Sequence, residues 1–202
     1  MWKDDEHLLR RNEYIGNQYN DFLEEDDEFN FMKALIANYI LEGIYFYSGF
    51  SFFYNLGRNG KMPGTVQEIR YINRDENTHL WLFRSLINDL KKERADLFTE
   101  EHIKYYTAML KEGVEQEIAW GKYAIGDNIS GLNGKMIEDY IKYLGNLRAK
   151  GLGFGNLYEG YTEVPDSMKW VEEYADPNQV KTDFFEAKVS AYSKSSIIED
   201  DL

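Results

Sequence analysis

The stretch 64–164 contains no proline, although the chain has prolines at Pro63, Pro165 and Pro177. A proline inside a helix removes a backbone hydrogen bond and clashes with the preceding turn, so prolines normally punctuate helical chains. Here they sit at the two ends of a long span whose apolar residues mostly recur at helical spacing. The pattern predicts helices over about 6–24, 29–56, 65–92, 99–126 and 135–150, with a short one near 168–174. The first is ended by the acidic run from Glu24 to Glu28, and the second is stopped by Gly57-Arg58-Asn59-Gly60. Pro63-Gly64 marks the entrance of the third, and Thr99-Glu100-Glu101 gives the fourth an acidic first turn. Asn133 is the expected cap of the fifth and Gly151 its stop. No window shows sustained strand alternation. The expected fold is all-α, a bundle of long helices.

Composition narrows what such a bundle can do. A chain of 202 residues with 43% hydrophobic and 16% aromatic residues can build a sizeable core in one domain, or one domain with a tail. There is no cysteine, which excludes disulfides and thiolate metal ligands and fits a reducing interior. The first residues, Met1-Trp2-Lys3-Asp4-Asp5-Glu6, lack the cationic and apolar regions of a secretory signal. A net charge of −13 argues against nucleic acid and anionic membrane surfaces, and leaves other proteins or metal ions as partners. The apolar run 35–47 tempts a membrane reading, but Asn38, Glu42 and Ser48 lie within or beside it and tell against one.

Within this frame Glu76 and His79 are one helical turn apart, so a carboxylate and an imidazole share a helix face. Ile69, Ile72, Leu80 and Phe83 mark an apolar face close to both. Thirty-four residues upstream, Glu42 sits in the most apolar run of the chain, where a carboxylate is costly unless paired, hydrogen-bonded or metal-bound. A Glu helix followed by a Glu-x-x-His helix is half of the ligand set of ferritin-like di-metal carboxylate bundles. Such ligands suit iron or manganese, with zinc possible. Asp4 and His7 repeat the spacing at a charged terminus without apolar context, and are read as a decoy. His102, in an acidic helix start, is read as solvent-facing.

These residues carry a resemblance to a family. The runs from Leu41 to Phe50 and from Ile72 to Leu80 resemble, in sequence and separation, the small, radical-generating subunit of class I ribonucleotide reductase. The likeness continues through Glu117-Ile118-Ala119-Trp120-Gly121-Lys122-Tyr123, Gly131-Leu132-Asn133, the run from Tyr140 to Arg148 and the run from Asp183 to Ser193. It implies a ferritin-like helical domain over 1–180 and a tail over 181–202 for radical transfer and docking. Glu42, Glu76 and His79 would be ligands of one metal of a di-iron or manganese–iron centre. Asp75 would be a hydrogen-bonded acid of the radical-transfer chain, with Phe46, Phe50 and Ile72 lining a dry pocket around the radical. Tyr192 would relay the radical to the large subunit, with Glu186 as its acidic companion, and Ile197, Ile198 and Leu202 would anchor the docking tail. Lys169, before Trp170, departs from the proline common there.

The larger departure is that the family's upstream carboxylate helix and second Glu-x-x-His helix have no counterpart in these residues. The resemblance therefore implies the C-terminal portion of a small subunit, cytoplasmic, with an incomplete metal centre. Its expected partners are the large subunit, a complementary N-terminal segment and a second copy in the homodimer. The expected activity is that of ribonucleoside-diphosphate reductase, with this polypeptide alone binding metal weakly and forming no stable radical. The rival reading is a non-catalytic helical piece that binds the large subunit through its tail.

Overall fold

The computed structural model describes residues 2–175. Seven α-helices follow one another: α1 (Glu6–Glu24), α2 (Glu28–Gly43), α3 (Tyr47–Arg58), α4 (Pro63–Glu93), α5 (Glu100–Ile125), α6 (Gly134–Gly151) and α7 (Lys169–Ala175). Short 3-10 turns lie at Trp2–Asp4, Ala95–Phe98 and Asp166–Met168. Among the described residues there is no strand, only an isolated bridge between Ile129 and Leu132. The expected all-α class holds.

The helix starts have local causes. Asp5, Asp27, Thr99 and Asn133 each accept a hydrogen bond from the backbone N–H three residues on, satisfying a donor that the first turn leaves free. Pro63 occupies the first turn of α4, where its missing N–H is no loss. At the other end of α6 the chain turns through Gly153, at φ 72°, a backbone conformation that glycine adopts without a Cβ clash. Asn146 then ties the following loop to α6. Its amide donates to the carbonyls of Tyr158 and Tyr161, and its Oδ1 accepts from the N–H groups of Leu157 and Tyr158.

Helix α2 is the centre of the bundle, packed against α1, α4 and α5. Met32, Ile36, Ala37 and Ile40 on it are fully buried, and they meet Leu110, Val114, Ile137 and Ile141 from α5 and α6 in one core. Close approach is built into the sequence at Gly113, where a Cβ would lie 2.5 Å from Ile40 Cγ2.

One expectation fails here. The single helix expected over 29–56 is two, α2 and α3, separated by a break at residues 44–46. Ile44 leaves helical geometry at φ −135°, and the Tyr45 N–H reaches back five residues to the Ile40 carbonyl at 3.3 Å. The carbonyls released by the break are taken up by side chains from distant helices. Arg148 Nε donates to Gly43 O at 3.0 Å, and Arg11 Nη2 donates to Tyr45 O. Arg11 also forms an ion pair of 2.6 Å with Glu117, whose other oxygen accepts the Ser48 N–H at 2.9 Å. The break exists because tertiary partners replace the helical hydrogen bonds it forgoes.

Candidate metal centre

The break begins two residues after Glu42. A Cβ on Gly43 would fall 2.8 Å from Leu80 Cδ1 and 3.2 Å from Arg148 Nε, so glycine lets α2 and α4 approach at this level. The approach brings Glu42 across to Glu76 and His79, one turn apart on α4. One ligand atom from each of the three lies within 4.8 Å of the others, and no other such His/Cys/Asp/Glu group occurs among the described residues.

The electrostatics of the trio are those of a site without its own cation. Glu76 Oε2 lies 2.8 Å from His79 Nδ1, a hydrogen bond that orients the imidazole and raises its basicity. Glu42 Oε2 lies 3.7 Å from the same nitrogen, too far for a hydrogen bond. That oxygen is buried and has no hydrogen-bond partner. Burial, and next the facing Glu76 carboxylate, push the Glu42 carboxyl up to about 7. The two carboxylates are 15% and 16% exposed at the side chain, whereas His79 is 52% exposed. An orphaned buried oxygen beside a second carboxylate and an imidazole fits a divalent first-row metal in both charge and donor type.

The other expected site residues fall as follows. Phe46 and Phe50 pack with ring centroids 6.0 Å apart, one turn beyond Glu42, and Phe50 is buried. Ile72 is 44% exposed on α4. Asp75 is exposed and bound to Arg74 at 3.1 Å. Tyr192, Glu186, Ile197, Ile198 and Leu202 lie outside the described residues. His7 stacks on Tyr123 at 4.5 Å and joins no candidate metal cluster. His102 corrects an expectation: it is half-buried, with its ring 5.0 Å from Phe29 and 6.1 Å from Tyr106, because the acidic first turn of α5 packs over α2.

The sequence reading gave no role to Arg11, Glu117 or Arg148. Their burial comes from contacts between helices far apart in the chain, and the only local trace is Gly43 inside a strongly helical run. Glu117 is fully buried, and that burial pushes its carboxyl up to about 7 against the opposing pull of Arg11 and the Ser48 amide.

Residues 1–165 match the family described as "Ribonucleotide reductase, small chain". The chain belongs to that family. It is 63% identical over 202 residues to the ribonucleoside-diphosphate reductase subunit beta of Treponema pallidum, covering 100% of this chain and 58% of that protein. The corresponding subunit of Halalkalibacterium halodurans is 42% identical over 195 residues, covering 96% of this chain and 56% of that one. Among solved structures, a ribonucleotide reductase R2 subunit from Clostridium botulinum superposes with a TM-score of 0.82 at 49% identity, over 87% of this chain and 55% of that one. The fold is thus the ferritin-like helical one of this family, and the chain spans less than two thirds of the length of these relatives. No described helix is long and apolar enough to cross a membrane.

Proposed function

We propose that these residues form the part of a ribonucleoside-diphosphate reductase small subunit that holds one side of a dinuclear metal centre. The observation that carries this reading is the Glu42 oxygen, buried without a partner and turned toward Glu76 and His79. In the family such a centre, of two irons or manganese with iron, supplies oxidising power from oxygen for making the radical that nucleotide reduction requires. Glu42, Glu76 and His79 would hold one metal, and the remaining ligands would come from polypeptide outside these 202 residues, whether joined to them or separate.

The chain's own residues have definable tasks. Glu42 and Glu76 bring two carboxylates together, so that binding a cation relieves their repulsion and displaces the proton that Glu42 otherwise retains near neutral pH. Glu76 fixes the imidazole plane of His79 before any metal arrives. Phe46 and Phe50, packed ring on ring in the chain just after Glu42, would be the aromatic surface that keeps the radical dry. Asp75, Glu186 and Tyr192 would pass the radical toward the large subunit, with the segment 181–202 as transfer and docking tail. Homodimerisation and a cytoplasmic location belong to the same proposal.

The test is Mn(II) titration of the purified chain, with free ion read by electron paramagnetic resonance. Replacing His79 by alanine should weaken binding by about 100-fold or more, beyond what loss of an outer partner does. Because His79 is half exposed, the unfolding midpoint should stay at the wild-type value. Equal Mn(II) binding by wild type and His79→Ala would overturn the assignment.

A further inference from the structure

Glu42 lies between two attachments of α2 to a single residue of α6. One turn before it, the Tyr39 hydroxyl donates to the Arg148 carbonyl at 3.1 Å. One residue after it, Arg148 Nε donates to the Gly43 carbonyl at 3.0 Å, and Arg148 Nη2 donates to the Tyr47 hydroxyl at 2.9 Å. Arg148 is only 9% exposed, so its guanidinium is committed to these contacts rather than to solvent. It also places a positive charge at the C-terminal end of α2, where unpaired carbonyls accumulate. Across the break, the Arg11–Glu117 pair secures Tyr45 O and Ser48 N and fixes the entrance of α3.

We propose that Arg148 is a positioning residue for the metal centre: by holding Gly43 O and the Tyr47 hydroxyl it fixes the last turn of α2, and with it the Glu42 carboxylate, facing His79. The proposal rests on the reading of Glu42, Glu76 and His79 as metal ligands. Ile44 still makes the regular bond to the Ile40 carbonyl, but the Tyr45 N–H turns to Ile40 O rather than Leu41 O and the Tyr47 N–H to Ile44 O rather than Gly43 O, and the Glu42 carboxylate has one buried oxygen without a hydrogen-bond partner. With Arg148 removed, the Gly43 carbonyl would be buried without a donor, and the last turn of α2 would fray at the break and no longer hold Glu42 facing His79.

The experiment uses the full chain, with Mn(II) as the probe and two readouts. One is the Mn(II) affinity and resonance line shape. The other is hydrogen exchange of the amides at 43–50, which a remote destabilisation would not single out. Arg148→Met should weaken Mn(II) binding about tenfold and alter the line shape, as loss of an outer partner does, while exchange at 43–50 rises above that of α5. Arg148→Lys, which can satisfy one acceptor but not both, should fall between Met and wild type. Asn146→Ala serves as the control: it loosens the 157–161 loop from the same helix, and should lower the unfolding midpoint without moving Mn(II) affinity.

Wild-type affinity and line shape in Arg148→Met would overturn the proposal, provided His79→Ala has lost binding. A loss in Asn146→Ala as large as in Arg148→Met would overturn it too, by showing general loosening. If Arg148→Met does not fold, Arg148→Lys decides. A several-fold loss with exchange confined to 43–50 then supports the proposal, and wild-type affinity sinks it. If His79→Ala binds Mn(II) as wild type does, the metal-site reading itself has failed, a result distinct from failure at Arg148.

Discussion

Two acids, Glu42 and Glu117, lie close in space to the same helix break and could hardly be built more differently. Glu117 is fully buried, faces Arg11 at 2.6 Å and accepts the Ser48 amide. Glu42 is partly buried, and its buried oxygen faces another carboxylate and an imidazole 3.7 Å away in place of a guanidinium. In both, burial is the first cause that pushes the carboxyl up to about 7, but at Glu117 the next influence is a cation that opposes the shift, and at Glu42 it is an anion that adds to it. The fold supplies its own counter-charge where an acid is architectural. It withholds one where a ligand has to enter.

The largest effect expected from this contrast is at the architectural pair. Arg11→Met strands the Glu117 carboxylate in the core and should cost about 3–5 kcal/mol of stability, read from urea or guanidinium midpoints. Adding Glu117→Met to that background should recover much of the loss, because a buried pair replaced by apolar groups of similar volume is often neutral. A single variant as stable as wild type would break the comparison, for it would mean that Glu117 does not need its cation.

The same contrast explains what could be read in the sequence. The boundaries of α1, α4, α5 and α6 were legible because their signals are local: Pro63 at the entrance of α4, Thr99 and Asn133 as caps, and a proline-free interior. The α2–α3 break was not, since its causes are Arg148, 105 residues away from Gly43, and Arg11, 34 residues away from Tyr45. No periodicity within 29–56 encodes those partners. Of the site, Glu42, Glu76 and His79 were legible because helix geometry fixes Glu76 against His79, and the apolar run around Glu42 makes an unpaired acid there conspicuous. Glu117, though part of a run that carries the resemblance, received no role because a glutamate in a helix of mixed composition looks solvent-facing until α1 and α3 close over it.

A middle-sized effect should appear in the pH dependence of the metal-free chain. Both carboxyls have folded-state values near 7, above the ordinary carboxylate value of 4.5. The native state therefore holds protons that the unfolded chain has released. The stability this gives is fully present below the unfolded value and is lost as pH rises through about 7, on the order of 1–3 kcal/mol in total. Glu42→Gln and Glu117→Gln should each flatten part of the slope between about pH 5 and about pH 8, with Glu42 contributing less because solvent reaches it. Adding Mn(II) should flatten only the part that belongs to Glu42, because the cation takes the place of its proton. Two equal responses to Mn(II) would show that the clusters are not independent.

The smallest effect should come from an ion pair of a third kind. Arg94 forks across Glu28, with Nη1–Oε1 at 2.5 Å and Nη2–Oε2 at 2.6 Å, and also reaches Asp96 at 2.7 Å. By geometry this is a well-formed charge network, and it joins the start of α2 to the end of α4. Yet its groups are open to water, which stabilises each charge nearly as well as the partner does, and salt screens what attraction is left. Arg94→Ala should therefore leave the unfolding midpoint close to wild type, and the small difference that remains should vanish in high salt. A loss comparable to that of Arg11→Met would mean that bond geometry rather than burial sets the worth of an ion pair in this fold, and would undo the distinction drawn between Glu117 and the exposed acids.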